Sequence, residues 1–213
     1  KKGEMKISVV YGTRPELIKL APLIIELKEQ AWVDLTVINT GQHREMLVPL
    51  EKLFQVHPDI SLNVMTENQN VSQVVSRVIA QMDRLISENR PDLVFVQGDT
   101  ATVLAAAISC FYSKVKVAHV EAGLRSFDLQ HPFPEEFNRR TVSIFADYNF
   151  APTQTSADNL LKEGVSKDKV IVTGNTVIDA LQIIRKRLKA GKYDKKRILV
   201  TAHRRENHQE GIE

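Results

Sequence analysis

Several patterns that would direct a functional assignment are missing from this sequence of 213 residues. A single cysteine, Cys110, excludes an intrachain disulfide framework. No apolar run reaches the roughly 18 residues that cross a bilayer, and the first segment has no signal-peptide pattern. The histidines occur singly rather than in the close pairs of a zinc site, and neither a G-x-G-x-x-G fingerprint nor a P-loop is present. We therefore expect a cytoplasmic protein without a bound metal or a membrane partner.

The positive charge of the chain is modest and unevenly spread. The formal net charge is +3, and basic residues cluster at 185–197 and 203–205. These clusters lack the interleaved aromatic residues and the recognisable module of a nucleic-acid-binding protein, so no nucleic-acid partner is expected. The run at 185–197 is more typical of the solvated end of a helix followed by a linker.

Apolar β-branched segments alternate with segments of helical periodicity along most of the chain. Strands are predicted at 5–11, 33–39, 91–98, 114–120, 148–152 and 169–174. Helices are predicted at 16–30, before Phe54, and at 71–89, 100–113, 135–147 and 153–164. Strands joined through helices pair in parallel, and continuously apolar strands imply helices on both faces. The pattern predicts an α/β fold with an open, doubly wound parallel sheet of Rossmann type.

The predicted elements divide the chain unequally. Residues 1–180 read as a Rossmann-like domain. Residues 181–213 read as a linker and the first strand, 197–203, of an incomplete second domain, because a lone strand cannot bury both of its faces.

Polar residues follow the predicted strands where each strand ends. Gly12-Thr13-Arg14 follows the first strand, Asp99 a central one and Glu121 the strand at 114–120. Some of these residues have simpler interpretations, such as Asp99 or Thr100 as a helix N-cap. Ligands bind beyond the carboxyl ends of parallel strands, so the set favours one polar cleft. The glycine turn before the first helix is also expected to hold an anion on backbone N–H groups.

The ordered set of motifs closely resembles the non-hydrolysing UDP-N-acetylglucosamine 2-epimerases of bacteria and archaea. It comprises Gly12-Thr13-Arg14-Pro15-Glu16, Gln42-His43-Arg44, Gly98-Asp99-Thr100, His119 to Arg125, Pro134 to Arg139, Thr173 to Thr176 and His203 to Asn207. The resemblance implies half of a two-domain glycosyltransferase-B-type fold and a homodimer. It also implies interconversion of UDP-N-acetylglucosamine and UDP-N-acetylmannosamine for envelope polysaccharides, by anti elimination of UDP and its return without any cofactor.

The same resemblance implies roles for individual residues. The catalytic groups it implies are Asp99, Glu121, Glu135 and His203. The implied substrate-binding residues are Arg14, Lys19, Arg125, Asn138, Arg139, Asn175 and Arg204, and an allosteric site would include Gln42, His43 and Arg44. Two alternatives stay open, a glycosyltransferase with the same two-domain plan and a nucleotide-sugar-binding fragment without catalysis. On either interpretation the partner is a UDP-sugar, and we expect this chain alone to be inactive.

Overall fold

A computed structural model describes residues 4–42, 44–66, 69–188 and 198. The described strands are β1 (Met5–Tyr11), β2 (Val33–Asn39), β3 (Ile60–Ser61), β4 (Leu93–Gln97), β5 (Lys116–Val120), β6 (Tyr148–Ala151) and β7 (Val170–Val172). The described helices are α1 (Arg14–Lys28), α2 (Arg44–Phe54), α3 (Val71–Glu88), α4 (Ala101–Tyr112), α5 (Glu135–Phe145), α6 (Gln154–Lys162) and α7 (Val177–Arg187). A 3₁₀ turn at Lys167–Lys169 precedes β7.

The strands described form one parallel sheet in the order β3-β2-β1-β4-β5-β6-β7. Strand β1 lies in the middle, paired in parallel with β2 on one side and with β4 on the other. The chain therefore builds outward from β1 to one edge and then from β4 to the other edge. The predicted doubly wound sheet is confirmed, and its strand order reverses between β1 and β4, where such sheets bind ligands.

Helices cover both faces of the sheet. Every residue of β4 is buried, which requires apolar packing on each side. One face carries α3, α4 and α5, whereas α1, α2 and α7 pack together on the other. Ala180 of α7 is buried in the core that α1 shares, so this helix runs through the boundary predicted at residue 180. Among the described residues, no helix combines the length and apolar character needed to cross a membrane.

The structure differs from the sequence prediction mainly at the ends of elements. Helix α1 begins at Arg14, two residues before the predicted start, because Pro15 can occupy the first turn of a helix without losing a hydrogen bond. The two-residue strand β3 was not predicted, since it is too short to show an alternating pattern. The strand predicted at 197–203 lies outside the described residues, and the division into domains stays a prediction.

Candidate active site

A cleft of about 700 Å³ opens at the carboxyl-end edge of the sheet, beside the point where the strand order reverses. Residues that follow β1, β4 and β5 line it, together with the start of α5. Asp99, Glu121 and Glu135, separated by up to 36 positions in the sequence, all lie in this one cleft. The structure thus brings the three predicted carboxylates together. In the described part of the chain, no three metal-ligating side chains are grouped to hold a metal ion.

Glu121 lies immediately beyond β5 in a backbone conformation that residues other than glycine rarely adopt. Its φ angle of +64° is in the left-handed region, which costs a residue other than glycine about 1–2 kcal/mol. Such strained residues cluster at functional sites. Lys19 and the amide of Gln97 donate to its Oε2 atom, and Asn175 Nδ2 donates to Oε1 over 2.9 Å. Three donors therefore fix both oxygens of a carboxylate that the strand end aims at the cleft.

Asp99, in the turn between β4 and α4, is held from α5. Arg139 Nη1 lies 3.0 Å from Asp99 Oδ2, and Asn138 Nδ2 donates to the Asp99 carbonyl over 2.8 Å. Burial raises the pKa of Asp99, and the guanidinium of Arg139 opposes that rise. The same guanidinium donates through Nε to Glu136 over 2.6 Å. Arg139 therefore bridges the cleft carboxylate and a second, fully buried carboxylate.

The adjacent residues Glu135 and Glu136, both in the first turn of α5, have different surroundings. Glu136 accepts hydrogen bonds from the backbone N–H groups of Ser126 and Phe127, over 3.0 and 3.1 Å. It therefore fastens the loop that precedes α5. Glu135 lines the cleft instead, and its buried Oε2 atom has no hydrogen-bond partner among the described residues. A buried carboxylate oxygen without a donor is costly, unless a ligand satisfies it.

The N-terminus of α1, which the sequence predicts to hold an external anion, already holds a carboxylate of the chain itself. Glu16 Oε2 accepts from the N–H groups of Gly12, at 2.5 Å, and Thr13, at 3.0 Å. Glu16 Oε1 accepts from the hydroxyl of Thr100. Burial raises the pKa of Glu16 to about 7, and these hydrogen bonds oppose the rise. In the structure the two backbone donors therefore bind a carboxylate of the chain itself, and the binding of a ligand anion at this turn stays a prediction.

His119, a buried residue of β5, supports the turn that carries Asp99. Its Nε2 atom lies 2.7 Å from the carbonyl oxygen of Gly98, and because a carbonyl can only accept, Nε2 carries the proton. Burial lowers the pKa of His119 to about 4, so the ring is neutral near pH 7. Gly98 itself has a φ of +82°, a conformation that suits glycine.

A family model described as UDP-N-acetylglucosamine 2-epimerase matches residues 25–213, which is most of the sequence. The chain belongs to the UDP-N-acetylglucosamine 2-epimerase family.

Curated members of this family are similar to the chain over nearly its whole length. It is 46% identical to the UDP-N-acetylglucosamine 2-epimerase of Neisseria meningitidis serogroup A, over 98% of the chain and 59% of that protein. It is 45% identical to the enzyme of Bacillus subtilis strain 168, over 99% of the chain and 57% of that protein. The chain therefore spans a little more than half the length of the curated relatives that it matches.

Solved epimerase structures have the same fold. A crystal structure of the Listeria monocytogenes protein, described as a putative UDP-N-acetylglucosamine 2-epimerase, is 41% identical with a TM-score of 0.91, covering 98% of this chain and 56% of that one. The N. meningitidis epimerase bound to UDP-GlcNAc is 46% identical with a TM-score of 0.83, covering 86% of this chain and 50% of that one. A lipopolysaccharide galactosyltransferase, 13% identical with a TM-score of 0.56, shares the fold alone.

The cleft of this epimerase-family chain includes most of the predicted site residues that the structure describes. Lys19 and Asn175 contact Glu121, while Asn138 and Arg139 contact Asp99. Gln42 also lines the cleft and accepts a hydrogen bond from Thr102 over 2.8 Å. These predicted substrate-binding residues thus hold the carboxylates in place.

Two residues predicted to bind substrate are not among those that line the cleft. Arg125 is paired with Glu163, to which Nε and Nη2 donate over 2.9 and 2.8 Å. Its guanidinium is fully buried in that pair, and it is not among the residues that line the cleft. Arg14 is exposed at the first position of α1 and is not among the residues lining the cleft. His43, His203, Arg204 and the side chain of Arg44 lie outside the described residues.

The sequence analysis of this epimerase-family chain missed buried residues that hydrogen-bond to the groups lining the cleft. Gln97, which donates to Glu121, is the last residue of the otherwise apolar strand β4, and a polar residue at that position was a usable signal. Glu16 and Glu136 entered the sequence analysis only as parts of motifs. The tertiary contacts of both acids, with Thr100 and with Arg139, could not be read from spacing.

Proposed function

We propose that this chain is the N-terminal, Rossmann-like half of an enzyme that interconverts UDP-N-acetylglucosamine and UDP-N-acetylmannosamine. The domain would comprise residues 1–180, followed by a linker and the start of a second domain at 181–213. The observation that carries the proposal is the meeting of Asp99, Glu121 and Glu135 in one cleft. Family membership and the similarity to an epimerase bound to UDP-GlcNAc support it. We further propose that the complete enzyme is a cytoplasmic homodimer that supplies envelope polysaccharide synthesis.

The reaction proposed is an elimination followed by an addition. A carboxylate takes the proton from the second sugar carbon, and the electrons of that C–H bond form a double bond to the first carbon. The bond between the first carbon and the diphosphate oxygen breaks, and UDP leaves with its electron pair. In the return step UDP adds to the first carbon again, and a protonated group delivers the proton to the opposite face of the second carbon.

The residues of the cleft fit the demands of this chemistry. Removing a weakly acidic carbon proton and returning it on the other face requires positioned acids and bases on both sides of the sugar. Asp99, Glu121 and Glu135 supply three such groups, each held in a different way. Expulsion of UDP increases negative charge on the diphosphate, which cationic groups must stabilise. We assign that task to Lys19 and Arg14, together with the family motif at 203–205.

The test uses the complete enzyme, which is this chain continued by the part that its relatives carry beyond it. UDP-N-acetylglucosamine incubated with the enzyme in deuterated water should gain deuterium at the second sugar carbon. Asp99→Asn or Glu121→Gln should slow incorporation by on the order of 100-fold or more. Asp168→Asn, which changes an exposed acid outside the cleft, is the matched control and should leave it unchanged.

The alternative functions give different results. A glycosyltransferase would transfer sugar to an acceptor and would incorporate no deuterium into the UDP-sugar. A binding module would show heat of sugar binding in calorimetry without exchange. Absence of deuterium exchange with every N-acetylated UDP-sugar offered to the complete enzyme would reject the epimerase proposal.

A further inference from the structure

We propose that Glu16 is a positioning residue of this active site. Its carboxylate joins the turn after β1 to the turn that carries Asp99, and by occupying the N-terminus of α1 it excludes the substrate diphosphate from that position. The role in turnover rests on the epimerase function proposed above, whereas the structural tie can be tested without it.

The tie is formed by three hydrogen bonds to one buried side chain. Glu16 is 1% exposed, and it accepts from the N–H groups of Gly12 and Thr13 on one oxygen and from the Thr100 hydroxyl on the other. Thr100 directly follows Asp99 in the sequence, and its hydroxyl oxygen also accepts from Val103 N over 3.3 Å to cap α4. A shift of Glu16 would therefore be passed to the residue next to a cleft carboxylate.

Close packing between the two turns makes this tie rigid. A Cβ atom at Gly12 would lie 2.7 Å from the Thr102 Oγ1 atom in the first turn of α4, a distance that no real side chain tolerates. The same Thr102 hydroxyl is 3.1 Å from that of Thr40, which follows β2. The ends of β1, β2 and β4 are thus in close contact around the strand-order reversal, and Glu16 bonds residues that follow β1 and β4.

The Glu16 carboxylate occupies the N-terminus of α1, a position that would otherwise attract another anion. Backbone N–H groups at a helix N-terminus attract anions, and substrate phosphate is the usual occupant in nucleotide-binding sheets. Here the donors of Gly12 and Thr13 are used by Glu16, so the diphosphate must be held by other cations. Removing Glu16 should therefore impair catalysis while UDP binds at least as tightly as before, because the two donors become free.

Four variants of the complete enzyme test the proposal. Glu16→Ala removes the tie, whereas Glu16→Gln can preserve it, because the amide oxygen can accept from Gly12 and Thr13 and the amide nitrogen can donate to Thr100. Thr100→Val removes only the hydroxyl, and Thr100→Ser restores it. A displacement of a catalytic group by about 1 Å can reduce the rate by on the order of 100-fold. We therefore expect kcat to fall by on the order of 100-fold in Glu16→Ala and in Thr100→Val. We expect KM to change less than about threefold, and both conservative variants to recover most of the rate.

Amide hydrogen exchange of the segment 98–103, followed by mass spectrometry, supplies a measurement that does not depend on activity. Exchange should accelerate in Glu16→Ala, in which the Thr100 hydroxyl remains to cap α4, and stay near the wild-type rate in the two conservative variants. If Glu16→Ala does not fold, Thr100→Val and Thr100→Ser still decide the question through kcat, because the first replaces the hydroxyl with a methyl group and the second keeps the hydroxyl.

The outcomes separate the two proposals. A wild-type enzyme without deuterium incorporation rejects the epimerase function, and the exchange of segment 98–103 still tests the tie. An active wild type with an equally active Glu16→Ala rejects the positioning role. Weaker binding of UDP by Glu16→Ala would reject the exclusion of the diphosphate, because the freed N–H groups of Gly12 and Thr13 should favour an anion. Failure of Glu16→Gln to recover activity would show that charge, rather than the tie, is needed, and this too overturns the proposal.

Discussion

Replacing Arg139 with methionine should both weaken the fold and disable the acid–base chemistry. The guanidinium lies 3.0 Å from Asp99 and also binds the fully buried Glu136. Removing one partner of a buried ion pair costs about 3–5 kcal/mol, because the remaining charge stays buried. The side chain of Asp99 is 28% exposed, so water compensates in part and we expect a loss of about 3 kcal/mol. For a domain of this size that lowers the unfolding temperature by roughly 10 °C.

The same substitution should shift the pH dependence of turnover. Arg139 lowers the pKa of Asp99 against the effect of burial, so its removal raises that pKa and leaves less carboxylate at neutral pH. The acidic limb of kcat/KM should therefore move to higher pH, with a rate near pH 7 reduced by on the order of 100-fold. Both effects can be measured on the complete enzyme, by thermal unfolding and by deuterium incorporation from pH 5 to 9.

Arg140→Met is the matched control for this substitution. Arg140 is the neighbouring residue on α5, partly exposed, and its Nε lies 3.2 Å from Glu163 outside the cleft. Exposed pairs contribute about 0–1 kcal/mol, so the control should unfold near the wild-type temperature with an unchanged pH profile. If Arg139→Met behaves like the control in both assays, the assignment of Arg139 as the support of Asp99 is refuted.

Three further substitutions follow from the same contacts. Gly123→Ala should destabilise the protein by more than about 1 kcal/mol in thermal unfolding. Gly123 has a φ of +88°, and a Cβ atom at this position would collide with the Ser156 backbone. A variant as stable as the wild type would contradict this packing. Arg125→Met should lower the unfolding temperature about as much as Glu163→Gln, because each removes one partner of the same ion pair. KM for the UDP-sugar should stay unchanged. A raised KM would indicate that Arg125 binds substrate after all. Burial lowers the pKa of His119 to about 4 from 6.5, so its contribution to stability is present above pH 6.5 and is lost as the pH falls towards 4. His119→Gln should flatten that dependence in unfolding measurements across the same range, and an unchanged slope would argue against the neutral buried ring.

The fold could be predicted from the sequence because its signals are local. The apolar strand at 93–97 and the helical periodicity at 71–88 each determine their own element, and a parallel pair requires a crossover. The doubly wound parallel sheet followed from this alternation, whereas the strand order was given by the structure. The short strand β3 escaped prediction because two residues cannot show a period. The extent of α1 depended on the contacts of one helix end, which composition does not encode.

The sequence predicted which residues lie near the candidate site only where those residues directly follow a strand. Asp99 and Glu121 each end or follow a buried strand, and parallel strands bring their carboxyl ends to one edge. Arg125 follows β5, as Glu121 does, yet its long side chain pairs with Glu163 at the C-terminal end of α6. The backbone position of a residue could thus be inferred, whereas the direction of its side chain could not. The burial of Glu16 at a helix N-terminus depends on Thr100, more than 80 residues later.

Four acids meet in the cleft, and their different partners explain how they can lie together. Like charges this close would repel, but Glu16 is neutralised by backbone N–H groups, Asp99 by Arg139 and Glu121 by Lys19. Glu135 differs, since its Oε2 atom has no donor among the described residues. The chain thus satisfies the other three acids itself and leaves this oxygen to be satisfied by a ligand. On the proposed function, a hydroxyl or N–H group of the sugar would donate to this oxygen and so offset the cost of burying it without a partner.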